Sequence, residues 1–150
     1  LNAYVSEIAV PKQRGAHFPE VIKGKELFIE AKCHLCHMPT LLIESRNGAK
    51  QIHEIIHPFT DLLLHDMGSG LGEQSKKISE CNNEWRTPPL WGIGLTHVVS
   101  KNIFFLHDGR ARSIEEAILW HGGEAMEAKE NFRKMPKEHR KDLMHFLNSL

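Results

Sequence analysis

Apolar positions recur at helical spacing in several places along the chain. In "EVIKGKELFIEAKC", Val21, Gly24, Phe28 and Ala31 fall at i, i+3, i+7 and i+10, one face of an α-helix that delivers the chain into Cys33. "RSIEEAILWHGG" opens with Ser113 and carries Glu116 three residues later, a capping box, and stops at Gly122. This predicts a short helix with His121 at its end. "EAMEAKENFRKM" can form another helix, and "PKEHRKDLMHFLNSL" starts with Pro136 at a favourable first-turn position. Its Leu143, Met144, Phe146, Leu147 and Leu150 share one face.

Between Met38 and about Thr96 the pattern is irregular. Gly68, Gly70, Gly72, Pro88, Pro89, Gly92 and Gly94 punctuate it, and no sustained strand-type alternation emerges. The expectation is loops and short helical turns wrapped around a ligand, and an all-α fold class. At the start, "LNAYVSEIAV" reads as the end of a helix that "PKQRGAHFP" breaks with two prolines and a glycine. Residues 1–15 are therefore expected to be the end of a preceding domain or a linker helix, and residues 16–150 one domain.

A length of 150 residues suits a single domain with a real core. The formal charge of zero gives no broad attraction to nucleic acid or anionic lipid, so a partner must be recognised locally. The longest apolar run, "DLLLHDM", is far short of a membrane span, and no signal peptide is visible. A chain beginning with Leu is expected to be a processed or truncated product. Eleven histidines accompany one tyrosine and three tryptophans, a composition that a cofactor supplying buried surface would suit. Three cysteines cannot all pair, which excludes a disulfide-built fold and leaves Cys81 over as an unpaired thiol.

The cysteines and histidines admit three readings. "HEIIH", His53 to His57, matches the HExxH of zinc proteases, but Pro58 follows at once and disfavours helix at His57. Cys33 and Cys36 with His53 and His57 give a zinc module of Cys2His2 type, again with its helix ended by Pro58. The third reading is covalent haem attachment by Cys33-His34-Leu35-Cys36-His37. Two thiols at i and i+3 reach the two vinyl groups of one haem c, and the histidine after the second thiol is placed to bind iron. The third reading carries furthest, because a helix with small Gly24 precedes the motif and an apolar C-terminal helix is available to cross it.

"GKELFIEAKCHLCH", "HPFTDLLLHDMGSGL", "EWRTPPLWGIGLT", "FLHDGRARSIEEAILWHGGEA" and "HRKDLMHFLNSL" together resemble the C-terminal haem domain of the bacterial di-haem oxidoreductases often labelled thiol oxidoreductases. That family is similar to di-haem cytochrome c peroxidases and to the di-haem enzyme of methylamine dehydrogenase maturation. The resemblance implies a cytochrome c-like helical domain, periplasmic, with the first haem domain lying outside this chain. It implies an electron-entry role beside a redox partner protein or second haem domain, in a possible assembly with other haem subunits.

In the peroxidase relatives the sixth iron ligand lies about one short helix beyond the "FHDG" block, a position that here is His121. The resemblance thus implies metal ligation by His37 and His121, with Met67 in "HDMG" as the rival and an open, peroxide-binding site as the alternative. Met135 is expected to pack. Arg86, Arg110 and Arg112 have forks suited to haem propionates, with ordinary surface arginines as the plain alternative. His65 and His107, in two "LHD" stretches, are expected to be ordinary hydrogen-bonded histidines or supports of the ligands.

Overall fold

Pro19 occupies the first turn of helix α1 (Pro19–Glu30), where its missing N–H costs nothing. The computed structural model describes residues 10–47, 50–73 and 83–150. Most of the linker segment expected at the start lies outside that range, as does Cys81. Helix α1 buries Val21, Gly24, Leu27 and Phe28. Its partner is the last helix, α5 (Lys137–Ser149), which buries Leu143, Phe146, Leu147 and Ser149. Between them in sequence come α2 (Thr96–Val99), α3 (Ile114–Trp120) and α4 (Met126–Lys134).

The helices α1 and α5 cross at Gly24. A Cβ there would collide with the Asp142 carbonyl and with Cβ of Phe146. Backbone thus approaches backbone, as the small residue in the apolar stripe suggested. Around the crossing, Phe28, Phe59 and Phe146 form a triangle with ring centroids 5.4–6.0 Å apart and tilted or edge-on planes. These are favourable aromatic geometries. Leu27, Phe132, Leu143 and Leu150 complete the core, with Cys33 packed against its edge. The residues ahead of α1 return to the end of α5: the Arg14 N–H donates to the Ser149 carbonyl at 2.8 Å and Gln13 Nε2 to Ser149 Oγ at 2.9 Å.

The all-α expectation is wrong. Strands β1 (Leu41–Asn47) and β2 (Lys50–Ile56) form an antiparallel hairpin, in register from Leu41 opposite Ile56 to Asn47 opposite Lys50. A second antiparallel pair joins β3 (Leu64–Asp66) to β4 (Glu84–Arg86), with His65 opposite Trp85. The fold is mixed, helices carrying the core and two small sheets standing beside it. The physical reason lies in the residues of the first hairpin. "KQIHEII" is rich in β-branched isoleucine and is halted by Pro58, which suits extended chain better than helix.

Among the described residues no helix is long and apolar enough to cross a membrane. The α1–α5 contact yields a direct test. Gly24→Ala gains about 1 kcal/mol of helix propensity but must push the Asp142 backbone away. A net loss of about 2 kcal/mol is expected, read as a lower thermal midpoint. Gly70→Ala, with open space around the new methyl, should leave the midpoint nearly unchanged.

Candidate metal centre

Helix α1 ends where Lys32 turns left-handed at φ 69°, and its ammonium pairs with Glu127 at 2.6 Å. The chain then enters a 3-10 turn, Cys33–Leu35, and the His37 N–H donates to the Cys33 carbonyl at 3.0 Å. Cys33 and Cys36 are free thiols. Burial pushes the Cys33 thiol up to about 12. Cys36 is also raised, by burial first and then by the Asp61 and Glu124 carboxylates. Dithiol catalysts depress a cysteine to make thiolate. These two cysteines are held neutral, so a thiol–disulfide role has no support in their surroundings.

Residues 58–63 form a strap over this loop. The Asp61 N–H donates to the Cys36 carbonyl at 2.9 Å and the Thr60 N–H to the Met38 carbonyl at 3.0 Å. Buried Thr60 donates its hydroxyl to the Thr87 carbonyl at 2.6 Å and accepts the Leu62 N–H at 2.9 Å. Phe59 and Leu62 both sit at positive φ, 55° and 61°, an unusual conformation for side chains of that size. That conformation brings the Phe59 carbonyl within 3.1 Å of His37 Nδ1, whose N–H donates to it.

His121 follows α3 directly. Ser113 caps the helix by accepting the Glu116 N–H at 3.0 Å, as the pattern predicts. The His121 ring turns back so that Nδ1–H donates to the Ala117 carbonyl at 2.7 Å. The His37 and His121 rings are neighbours, with centroids 6.5 Å apart and planes inclined at 46°. Burial, foremost, lowers both imidazoles: His37 to about 4 and His121 in the same direction. Both are neutral at physiological pH, and each fixes its proton on Nδ1, leaving Nε2 unprotonated. That is the state a metal-binding imidazole needs.

Behind His121, Gly122 and Gly123 lie against the backbone of residues 66–68. A Cβ on Gly122 would come within 2.8 Å of the Met67 carbonyl, and one on Gly123 would strike the Asp66 carbonyl and the Gly68 nitrogen. Gly123 has φ 50°, which only glycine adopts without strain. Across this junction lies His65. Its Nε2 is 2.8 Å from Asp61 Oδ2 and its Nδ1 2.8 Å from Glu124 Oε2. Glu124 first and then Asp61 raise the His65 pKa, and His65 in turn helps to hold Glu124 low.

The other expected site residues are dispersed. Met67 ends its segment with its N–H on the Asn83 carbonyl and its own carbonyl against Gly122. Arg110 is engaged by Asp108 at 2.6 Å and lies over the Trp120 ring at 4.9 Å. Arg112 lines a cavity of about 310 Å³ with Ile114 and Met144, while Arg86 is exposed on β4. The three arginines do not converge. His107 stacks on Trp85 with centroids 3.4 Å apart, and Trp85 Nε1 donates to the Leu71 carbonyl at 3.0 Å.

The zinc readings fail on conformation. His53 and His57 lie on and just past strand β2, where residues four apart are separated by about 13 Å, against about 6 Å in a helix. His53 is 3.4 Å from Glu44, and His57 Nδ1 is 3.2 Å from Thr40 Oγ1.

The remaining donor set fits a haem. Two neutral thiols and an imidazole come from one CxxCH loop, and a second neutral imidazole stands opposite. A metal bound at about 2 Å by a nitrogen of each ring would hold two centroids about 6 Å apart, close to what is found. The class this defines is a redox domain with a donor set that a haem would suit. The chain matches over residues 1–150 the family model described as "Di-haem oxidoreductase, putative peroxidase". It belongs to the di-haem oxidoreductase family. No match was found among curated proteins or solved structures.

The raised pKa of His65 sets a pH window. A histidine whose folded pKa exceeds its ordinary 6.5 stabilises fully below that value and loses the contribution as pH rises through the folded pKa. The stability margin of wild type over His65→Gln should be flat from about pH 5 to 6.5 and shrink above it. Thermal midpoints of both proteins across this range provide the measurement.

Proposed function

We propose that this chain is a one-electron relay holding a single covalent haem c, tethered by Cys33 and Cys36 and ligated by His37 and His121. The observation that carries the proposal is the pair of buried, neutral imidazoles with centroids 6.5 Å apart, each anchored through Nδ1. When bound, the haem supplies reversible one-electron chemistry. The protein orients both imidazoles, excludes water from them, and keeps their protons on Nδ1. If both His37 and His121 hold the iron, it would have no free position, which would favour electron transfer over peroxide chemistry.

The family is di-haem, and this sequence carries one CxxCH. The chain therefore works with a second haem domain or a redox partner, as the electron-entry half of a peroxidase-like oxidoreductase. The compartment proposed is the periplasm. Arg110 lies over the ring of Trp120, the residue before His121, and is proposed to pair with a haem propionate.

Mass spectrometry under denaturing conditions should find one haem retained per chain, and the ferric protein should be low-spin. His121→Ala should convert it to a high-spin form that binds carbon monoxide when reduced, and Met67→Ala should change neither property. A near-infrared methionine-to-iron charge-transfer band would overturn ligation by His121. A colourless protein would overturn the haem reading altogether.

A further inference from the structure

We propose that His65 is a positioning residue: with Asp61 and Glu124 it forms a clamp that locks the loop carrying His121 onto the strap that holds His37. The inference rests on the haem reading above and deepens it. Asp61 belongs to the strap, two residues beyond Phe59, and its backbone N–H is bound to the Cys36 carbonyl. Glu124 belongs to the other loop, three residues beyond His121. The His65 imidazole is the side chain that touches both, with one ring nitrogen 2.8 Å from each carboxylate.

The two ends of the clamp are themselves fixed. Asp61 Oδ1 accepts the Leu63 N–H at 2.9 Å, and Glu124 Oε1 accepts the Asp66 N–H at 3.0 Å. The Asp61 and His65 side chains are only 8% and 16% exposed, so this pair is better sheltered from screening than an ordinary surface ion pair. Gly122 and Gly123 let the two backbones touch, but backbone contact at glycines supplies little hold of its own. A side-chain bridge is what fastens the junction.

Helix α3 cannot do the same for His121. It has seven residues, and the chain leaves helical geometry at His121 itself, where ψ is 138°. The direction of the ligand is thus shared between the Ala117 carbonyl and the loop that follows. If that loop swings, the imidazole swings with it. Partners that orient a metal ligand typically account for about 10- to 100-fold in metal affinity. The clamp therefore governs how often the sixth position opens, while the tethers keep the haem in place.

The test uses haem-loaded protein and five variants, His65→Phe, Glu124→Ala, their double variant, Glu124→Gln and His121→Ala, with covalent haem content checked for each. Readouts are the low-spin fraction of the ferric form and the rate of carbon monoxide binding to the ferrous form. His65→Phe and Glu124→Ala should each raise that rate at least about tenfold. The double variant should do no more than the singles, because both break one unit. Glu124→Gln keeps an acceptor oxygen and should lie closer to wild type. Rates for His65→Phe and Glu124→Ala within twofold of wild type would overturn the clamp, as would equal effects of Glu124→Gln and Glu124→Ala. Should His65→Phe fail to fold, the exposed Glu124 pair decides alone. His121→Ala separates the two levels of inference. If it leaves carbon monoxide binding unchanged, the ligand assignment is wrong and the clamp falls with it; if it opens the iron while the clamp variants do not, only the clamp is wrong.

Discussion

The hydrogen bond from His37 to the Phe59 carbonyl is the contact on which the centre depends, and the hydrophobic core enforces it. Phe59 is held at φ 55°, a conformation costing about 1–2 kcal/mol for a residue with a Cβ. Its ring repays this by burial among Phe28 and Phe146, worth about 2–3 kcal/mol for a large apolar side chain. A glycine would adopt the same backbone more easily but would give the core nothing to grip. The same phenyl triangle that fastens α1 to α5 therefore aims a carbonyl at the imidazole. Local strain at a ligand support is offset by packing at the centre of the domain.

Polarity is sorted around this point. Inside are two neutral imidazoles and a neutral Cys33 thiol, all disfavoured from carrying charge by burial. Outside, at the rim, are Asp61, His65 and Glu124, whose charges are paired across two loops. A charge placed inside would pay a large desolvation cost, whereas at the rim it can fasten segments together. Such sorting would suit the proposed centre, whose own charge would change by one unit while its ligands stay put.

The parts of this arrangement legible in the sequence are those encoded over short distances. The helical stripe of α1, the Ser113 cap of α3 and the apolar face of α5 follow from spacing alone, and the CxxCH pattern lies within five residues. The hairpin was legible too, though misread: Asn47-Gly48 between "LLIES" and "KQIHEII" is a turn signal flanked by strand formers. The glycines and prolines elsewhere in the segment outweigh that signal and point to loops and short helical turns. The supports of the centre were not legible. Phe59 reads as a core residue and Glu124 as a surface acid, because their roles arise from a carbonyl at positive φ and from a partner 59 residues away. In sequence His65 is one of two similar "LHD" stretches; what separates it from His107 is the tertiary neighbour each acquires, carboxylates in one case and the Trp85 ring in the other.

On the proposed reading, the closed iron constrains how the family's chemistry is divided. Peroxide must reach iron directly to be reduced, and an iron held by both His37 and His121 would offer it no position. Displacing His121 would require the Ala117 hydrogen bond, the glycine junction and the carboxylate bridge to yield together. That is a concerted rearrangement, unlike the loss of a single weak thioether. Catalysis at a second haem with a free position, fed from this one, asks for no such movement. On that reading the rigidity that would make this centre a poor peroxide site would also make it a good relay, since electron exchange is fastest where the ligands need not move when the iron changes charge.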